Sequence, residues 1–331
     1  MQPTKDLSIV VPVLNEAESI PILVDQIRSV MANGGAKPSW EIILIDDGST
    51  DGTTEVVTQL ARTSENIVSI LFRKNFGKSA ALMAGFGAAG GEVIITMDGD
   101  LQDDPNEIPR LVSKLNEGFD LVSGWKSDRQ DPLEKRLASK MFNGVISRIT
   151  GVHIHDFNCG LKGYRHWCAK TLQIRGNQHR FIPAILSWFG ARIAEIPVTH
   201  HKRRFGRSKF GLARYFHGLF DMFTLLMLTK FSQNPLYFFG LVGFPLMAVG
   251  TAVSAYLGLA HILFHTMGIG ENLNTRPILV GAFFLIVMGL QIFLIGLLSE
   301  MILRAAPGAK GYTIRAVVRR ETPARDAHPG V

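Results

Sequence analysis

Two aspartates separated only by Gly99, namely Asp98 and Asp100, are the residues of this sequence best suited to chemistry. They directly follow residues 93–97, an apolar run that predicts a buried strand. Two carboxylates at a strand end can hold a divalent cation against a diphosphate, and such hard oxygen ligands suit Mg²⁺ or Mn²⁺. Gln102 can supply a further oxygen. The spacing therefore predicts a metal site, with a solvated turn as the alternative.

The acidic pair that comes next, Asp103 and Asp104, has a simpler explanation. Asp104 stands directly before Pro105, and an aspartate followed by proline is typical of the first turn of a helix. We therefore predict that both aspartates cap this helix rather than bind the cation.

Polar residues also follow the first two predicted strands. A carboxylate at such a position can accept hydrogen bonds from a base N–H or a ribose hydroxyl. Taken singly, each of these residues is also typical of a turn, and Ser49 and Asp51 are well explained by an Asx turn that caps the next helix. The candidate walls of a nucleotide pocket are Pro12, Asn15, Glu16, Asp46, Asp47 and Gly48.

Alternating strands and helices must position these clusters. Apolar and helical spacings predict strands at residues 7–13, 41–45, 67–72, 92–97 and 119–123, with helices at 18–31, from 51, at 78–89 and from 104. This order predicts an α/β fold, in which helices wrap a mostly parallel sheet. Ligands of such sheets bind beyond the carboxyl ends of the strands, where all three polar clusters fall. We therefore expect one shared site at that edge.

The following part of the chain is less regular. We predict a helix at 133–150, a loop or short strand at 156–165, a short helix at 180–189 and a strand at 192–198. Residues 212–231 carry few charges and predict an amphipathic helix at a membrane interface.

Two long apolar runs indicate a membrane anchor. The chain is 47% hydrophobic and 19% charged, which is too apolar for an ordinary soluble enzyme and too charged for a pure membrane bundle. Residues 236–264 and 277–299 contain no Asp, Glu, Lys or Arg, and each exceeds the roughly 20 residues needed to cross a bilayer. The alternative is a pair of buried helices in a soluble core.

Basic residues flank the outer ends of this apolar pair, so the positive-inside rule places both termini in the cytosol. The polar N-terminus carries no signal-peptide core, which agrees with that orientation. We predict a multi-pass protein of the cell (inner) membrane with its catalytic domain on the cytoplasmic side. The predicted parts are a catalytic domain at 1–210, an interface helix at 211–234, a two-helix anchor at 235–304 and a partly disordered basic tail at 305–331.

The net charge of +7 points to phosphates and anionic lipid rather than to nucleic acid. Its basic residues concentrate around 202–214, just before the apolar runs, and no nucleic-acid motif is present. The two cysteines are too few for a disulfide framework and fit a reducing compartment.

Four motifs in order resemble glycosyltransferase family two. They are Val11-Pro12-Val13-Leu14-Asn15-Glu16, Asp46-Asp47-Gly48-Ser49-Thr50-Asp51-Gly52-Thr53, Arg73-Lys74-Asn75-Phe76-Gly77-Lys78 and Asp98-Gly99-Asp100-Leu101-Gln102-Asp103-Asp104-Pro105. The resemblance spans about residues 7–303 and is strongest to the polyprenyl-phosphate branch, which includes dolichyl-phosphate mannose synthase and bacterial undecaprenyl-phosphate glycosyltransferases with two C-terminal membrane helices. It implies a GT-A-like domain and an inverting, metal-dependent reaction.

The resemblance also implies roles for single residues. It makes Asp98, Asp100, Arg203 and Lys209 catalytic, and it assigns the metal to Asp100 and Gln102, with Asp98 close by. Arg203 and Lys209 belong to a loop expected to close over the donor diphosphate, with Arg204 as the rival of Arg203. The residues implied in nucleotide-sugar binding are Pro12, Asn15, Glu16, Asp47, Lys78, Asp98, Gly99, Lys162, Arg203 and Lys209.

A phosphate acceptor needs no catalytic base, because its second pKa of about 6 leaves it largely ionised at neutral pH. The leaving diphosphate needs cations instead, namely the metal, Arg203 and Lys209. Candidates to hold the acceptor phosphate are Lys126, Arg129, Lys135, Arg136 and the hydroxyl of Ser139, with a solvated helix face as the alternative.

The sequence thus predicts transfer of a hexose from a UDP- or GDP-linked sugar to a polyprenyl phosphate. One alternative is a family member with a hydroxyl acceptor, such as a processive polysaccharide synthase or a glycolipid synthase. The synthase motif Gln-x-x-Arg-Trp is not supplied by Gln178-His179-Arg180-Phe181. A non-catalytic membrane-surface module is the other alternative. Small residues at Ala248, Ala252 and Ala255, with the apolar 212–231 segment, predict a homo-oligomer.

Overall fold

The computed structural model describes residues 3–33, 39–126, 144, 147–148, 151–201, 235–266, 277–305 and 314–318. The chain divides into two compact units, Met1–Met222 together with Lys310–Val331, and Phe223–Ala309. The first unit contains the sheet and the polar clusters, and the second contains two long apolar helices. The helix predicted at 133–150 lies largely outside the described residues, and the helix predicted at 212–231 lies wholly outside them.

Eight strands form one sheet in the first unit. They are β1 (Lys5–Val13), β2 (Trp40–Asp46), β3 (Ile67–Phe72), β4 (Gly91–Thr96), β5 (Leu121–Trp125), β6 (Lys162–Arg165), β7 (Ile193–Pro197) and β8 (Ile314–Val318). Their order is β7-β5-β6-β4-β1-β2-β3-β8. The central strands β4, β1, β2 and β3 are parallel, as are β5 and β7, whereas β6 and β8 run antiparallel to their neighbours. The predicted α/β fold with a mostly parallel sheet is confirmed.

Helices cover both faces of this sheet. They are α1 (Ser19–Asn33), α2 (Thr53–Thr63), α3 (Lys78–Ala88), α4 (Ile108–Asn116), α5 (His166–Thr171) and α6 (Ile182–Trp188). Residues of α1, α2 and α4 share a core with Ile9 and Val11 of β1, whereas residues of α3, α5 and α6 share the opposite core with Val10. Because helices cover both faces of the sheet, β1 has apolar residues at successive positions instead of alternating apolar and polar residues.

The small residues of α3 let it lie close to the sheet. A Cβ atom added to Gly85 would lie 2.4 Å from Val10 Cγ1, so any larger residue would push this helix away from β1. The close approach holds the first residue of α3, Lys78, at the carboxyl edge of the sheet.

Two elements, α5 and β8, were not predicted, and one prediction that had left two forms open is now resolved. The segment 156–165 was expected to be a loop or short strand, and its end forms the inner strand β6 between β4 and β5. Helix α5 follows it directly. Within the basic tail, Ile314–Val318 forms the edge strand β8, which pairs with β3.

The described residues of the second unit form α7 (Pro235–Thr266) and α8 (Pro277–Ala305). Within them, Leu236–Ile262 and Pro277–Ile302 are long and apolar enough to cross a membrane. Only 11% of the most apolar stretch of each is buried, whereas helices in a soluble core are mostly buried. The two helices pack through glycines, since a Cβ on Gly250 would lie 2.6 Å from the carbonyl oxygen of Ala282. These features support membrane association rather than a soluble core.

Candidate active site

The fold brings the first two polar clusters into direct contact. The backbone N–H of Asn15 donates to Ser49 Oγ over 2.9 Å, and Asn15 Oδ1 accepts from the backbone N–H of Thr50 at 2.9 Å. The backbone N–H of Glu16 donates to Thr53 Oγ1 over 2.8 Å. Asn15 has a φ of 58°, a left-handed conformation that asparagine tolerates better than most residues. The loops after β1 and β2 therefore form one continuous wall.

Asp47 fastens this wall to the start of α3. Its two carboxylate oxygens accept from the backbone N–H groups of Phe76 and Gly77 at 2.7 and 2.9 Å. Burial raises the pKa of Asp47, although these two hydrogen bonds oppose the shift. A carboxylate has about four acceptor positions, so Asp47 retains capacity to bind a ligand N–H as well.

Gly48 is required where this loop meets the next one. Its φ is +76°, and a Cβ atom there would lie 2.4 Å from the backbone carbon of Lys74. No other residue fits without moving the backbone, which explains the glycine after the aspartate pair.

Asp98 forms an ion pair with Lys78 across the carboxyl edge, with Nζ 2.5 Å from Oδ1. Burial by itself disfavours both charges, but the attraction of Lys78 outweighs it and lowers the pKa of Asp98 to about 2. The same attraction raises the pKa of Lys78 despite its burial. Both groups are therefore charged at neutral pH, and the two predicted donor-binding residues are joined.

Gly160 closes the other side of Asp98. A Cβ atom on Gly160 would lie 2.6 Å from Asp98 Oδ2, closer than any side chain tolerates. The carbonyl oxygen of Gly160 accepts from Thr96 Oγ1 at 2.8 Å, which fixes the loop to the end of β4. The loop that leads to Lys162, a predicted nucleotide-sugar-binding residue, thus contacts Asp98.

Asp100 and Gln102 occupy one tight turn. The backbone N–H of Gln102 donates to Asp100 Oδ1 over 3.2 Å, and Leu101 between them has a φ of 60°. Such a conformation is strained for leucine and is typical of a functional turn. The amide Nε2 of Gln102 donates to the carbonyl of His201 over 3.3 Å, which leaves its side-chain oxygen for other partners.

Asp103 corrects the sequence prediction, whereas Asp104 confirms it. Asp104 accepts from the backbone N–H of Asn106 at 2.9 Å and caps the short turn that follows. The prediction that Asp103 also caps this turn is wrong, because its buried carboxylate accepts from the backbone N–H of Asp98 at 3.0 Å. Its other oxygen lies 3.5 Å from Lys126 Nζ. Asp103 therefore holds the backbone of Asp98, at the start of the Asp98-Gly99-Asp100 turn, in position.

Comparisons with known proteins agree with this arrangement. Residues 8–172 match the sequence profile described as Glycosyl transferase family 2. A dodecaprenyl-phosphate galacturonate synthase of Rhizobium johnstonii is 38% identical over 304 residues, which cover 90% of this chain and 88% of that protein. The chain belongs to glycosyltransferase family 2. An undecaprenyl-phosphate 4-deoxy-4-formamido-L-arabinose transferase of Yersinia pestis is 38% identical over 302 residues, covering 91% and 89% of the two chains.

A solved structure shows the same fold. Glucosyl-3-phosphoglycerate synthase of Mycobacterium tuberculosis, in complex with Mn²⁺ and UDP-glucose, superposes with a TM-score of 0.51 at 20% sequence identity. The match covers 68% of this chain and 79% of that one. The predicted GT-A-like fold of this family 2 member is confirmed.

The oxygen donors of the metal motif fit a hard cation. Among the residues that the structure describes, no cluster of three His, Cys, Asp or Glu side chains suits a metal. Asp100 and the amide oxygen of Gln102 nevertheless share one turn, and together with a donor diphosphate they would suit Mg²⁺ or Mn²⁺. Lys78 pairs with Oδ1 of Asp98, and the second carboxylate oxygen, Oδ2, takes no part in that ion pair.

The remaining predicted residues fall into two groups. Lys126 lies among the described residues and faces Asp103. Burial alone would lower the pKa of this lysine, but the carboxylate of Asp103 outweighs burial and raises it. Lys162 is buried, its Nζ donates to the carbonyl of Cys159, and burial lowers its pKa. Outside the described residues lie Arg129, Lys135, Arg136, Ser139, Arg203, Arg204 and Lys209.

Sequence reasoning missed two positions that the fold of this family 2 chain brings to the site. His179 lies against Ser79 at the start of α3, with Nδ1 3.0 Å from Oγ. Glu195 of β7 accepts from the backbone N–H groups of His155 and Asp156, at 2.9 and 2.8 Å, and anchors the loop that carries Gly160. No local signal marks either residue, because the partners are far apart in the sequence.

Proposed function

We propose that this chain transfers a sugar from a nucleotide-sugar to a polyprenyl phosphate and releases the nucleoside diphosphate. The observation that carries the proposal is that Asp98, Asp100 and Gln102 follow β4 at the carboxyl edge of the sheet, in a chain that also has two helices long enough to span a membrane. The names of the two 38% identical relatives, which match along about nine-tenths of the chain, agree with a polyprenyl phosphate as acceptor.

The acceptor phosphate is the nucleophile in this proposal. One of its oxygens forms a bond to the anomeric carbon of the sugar as the bond from that carbon to the diphosphate breaks. The electron pair leaves with the diphosphate, and the configuration of the sugar inverts. No side chain removes a proton, because the phosphate is already ionised at neutral pH.

The leaving diphosphate is where charge develops. Asp100 and Gln102 would hold Mg²⁺ or Mn²⁺, which when bound supplies positive charge to the diphosphate. Asp98 stays ionised beside them because its ion pair with the ammonium of Lys78 lowers its pKa. Asp98 and Lys78 together form the wall against which the sugar is oriented. Arg203 and Lys209 remain proposed as further cations for the diphosphate, and Arg129, Lys135, Arg136 and Ser139 join Lys126 as proposed acceptor-phosphate residues.

Donor and nucleoside specificity follow from the same wall. Pro12, Asn15, Glu16 and Asp47 are proposed to contact the nucleoside. The relatives are named for galacturonate, a six-carbon sugar acid, and for a derivative of arabinose, a five-carbon sugar. Only one of these two names refers to a six-carbon sugar. The proposal therefore covers any UDP- or GDP-linked sugar, with a hexose as the first candidate.

The membrane and a second copy of the chain complete the proposal. The catalytic unit is placed at the cytoplasmic face of the inner membrane, where the positive-inside rule directs both termini. Homo-oligomers are proposed from the small residues of α7, and no nucleic acid takes part.

A screen of nucleotide-sugars tests the function directly. Full-length protein in detergent is heated with UDP- and GDP-linked sugars and Mn²⁺, since only ligands of the folded state raise the melting temperature. Each ligand that raises it is then incubated with a short-chain polyprenyl phosphate, and a polyprenyl-monophosphate sugar is the expected product. Transfer to a hydroxyl acceptor but not to the phosphate would refute the proposal.

A further inference from the structure

His179 lies beside the site although no sequence motif marks it. It belongs to the 3₁₀ turn Gln178–Phe181. Its backbone N–H donates to Ser79 Oγ over 3.1 Å, and its ring atom Nδ1 lies 3.0 Å from the same oxygen. Ser79 is the second residue of α3 and directly follows Lys78, whose ammonium holds Asp98. The imidazole is thus fixed at the same end of α3 as the Lys78–Asp98 pair.

The imidazole is neutral at the pH of a cell. Burial disfavours the imidazolium, and the charges of Lys78 and Arg180 add to this effect, so the pKa of His179 falls to about 3. A neutral imidazole has one N–H donor and one acceptor nitrogen. Because Nδ1 is turned to Ser79, the other ring nitrogen, Nε2, remains for a ligand.

Nε2 makes no hydrogen bond with the residues that the structure describes. His179 is half-buried rather than enclosed by them. We propose that His179 determines donor specificity by a hydrogen bond from its Nε2 atom to a hydroxyl or carboxylate of the transferred sugar. This inference rests on the proposed function, since it names a sugar contact within it.

The charge state of the ring favours the sugar over a phosphate. Phosphates in proteins are held mainly by cations, which strengthen the hydrogen bond through their charge. A neutral ring beside Lys78 and Arg180 instead offers a directional hydrogen bond that depends on where one hydroxyl points. Sites built around such a bond reject analogues that lack the group, by up to about 10⁴-fold. The ring contacts Ser79, which directly follows Lys78 and its partner Asp98, and for that reason we place the bond at the sugar end of the donor.

Donor binding tests the inference without requiring transfer. Calorimetric titration of the full-length protein in detergent compares UDP-galacturonate, UDP-glucose and GDP-mannose with UDP and GDP. The best of these nucleotide-sugars should bind more tightly than its nucleoside diphosphate. His179→Ala should weaken it about tenfold, as expected for one hydrogen bond, and leave the affinity of the nucleoside diphosphate unchanged.

Two further variants sharpen the result. His179→Gln keeps an N–H at a similar reach and should restore part of the lost affinity, whereas a ring needed only for packing would not be replaced by an amide. His153→Ala removes an exposed histidine and should bind like the wild type.

An equal loss for the nucleotide-sugar and its nucleoside diphosphate would overturn the inference, and so would unchanged binding in His179→Ala. It would also be overturned if no nucleotide-sugar bound more tightly than its nucleoside diphosphate, or if His179→Ala changed only the KM of the lipid acceptor. A wild type that binds donors with the expected His179 dependence but transfers nothing to a polyprenyl phosphate would refute the proposed function alone.

Discussion

At the scale of single residues, the site separates its aspartates by their partners. Asp98 is held by Lys78, Asp103 supports the backbone of Asp98, and Asp104 caps a turn. Asp100 shares its turn with Gln102, whose side-chain oxygen is not used by the bond from Nε2. One short acidic stretch therefore contains four carboxylates with different tasks.

Asp100→Ala should abolish transfer while the protein remains folded and inserted. The variant removes a proposed metal ligand, so stabilisation of the leaving diphosphate is lost, and we expect transfer to fall by about a hundredfold or more. Transfer rates with increasing Mn²⁺ measure the effect. Asp104→Ala is the matched control, since it removes a neighbouring carboxylate that caps a turn and contacts His201. Near-wild-type transfer by Asp100→Ala in the presence of EDTA would contradict the metal assignment.

Lys78→Met should make the protein unfold at higher pH during acid titration. The pKa of Asp98 is lowered to about 2, below its ordinary 3.8, so its ionised form stabilises the fold above that ordinary value. This stabilisation is lost as the pH falls through about 2. Without Lys78 the pKa of Asp98 is no longer lowered, so this stabilisation is absent and the less stable variant unfolds at a higher pH. Circular dichroism during acid titration measures the midpoint, and Lys78→Arg should resemble the wild type; an unshifted midpoint in Lys78→Met would show that the pair is inconsequential.

At the scale of elements, the loop from His155 to Lys162 joins two sides of the sheet. Glu195 of β7 fixes its beginning through backbone N–H groups, and Thr96 of β4 fixes its end through the carbonyl of Gly160. The loop has no regular secondary structure before β6, so these hydrogen bonds determine where Gly160 meets Asp98.

Gly160→Ala should reduce kcat with little change in stability. The added methyl group would lie 2.6 Å from Asp98 Oδ2, so the loop or the carboxylate must move. We expect a loss of tenfold or more in kcat, on the order of a misplaced catalytic group. Gly87→Ala is the control, because a Cβ there meets nothing within 4 Å. Equal kinetics for both variants would mean that the contact with Asp98 has no functional weight.

The edge strand β8 protects β3 from solvent. Val317 faces Ile70 in the antiparallel ladder. Val317→Pro removes a backbone donor and should break this ladder, so the amides of β3 should exchange hydrogen faster, whereas Val317→Ala should keep the wild-type rate. Hydrogen exchange with mass spectrometry resolves the peptide of β3. Unchanged protection in the proline variant would show that β3 does not depend on this strand.

At the scale of the whole molecule, the sheet constrains the path of the chain. β8 follows the second apolar helix, yet it pairs with β3, which precedes the first. Both ends of the helical pair therefore lead to the same unit. If the helices cross a membrane, the number of crossings must be even, and the proposed two spans meet this condition.

Reporter fusions test this topology. A fusion at Val331 should report the cytosol, because basic residues flank both outer ends of the helical pair. A fusion within residues 268–274 should report the opposite side. The same side for both positions would rule out two spans.

The sequence alone determined the features that depend on near neighbours along the chain. The strand and helix pattern up to Trp125, the acidic turn of Asp98 and Asp100 after β4 and the two long apolar helices all follow from local spacing and length. These features can be predicted without knowing the topology. A strand buried on both faces is recognised from a short apolar run, and a membrane-spanning helix from a long one.

Only the tertiary structure decided which polar groups meet. Asp103 looked like a cap because its neighbour is one, but burial beside Lys126 makes it a support for Asp98. His179 and Ser79 are one hundred residues apart in sequence, and they meet because the 3₁₀ turn at 178–181 packs against α3. A hydrogen bond between distant residues depends on how the chain is routed, and residue type and local spacing contain no record of that route.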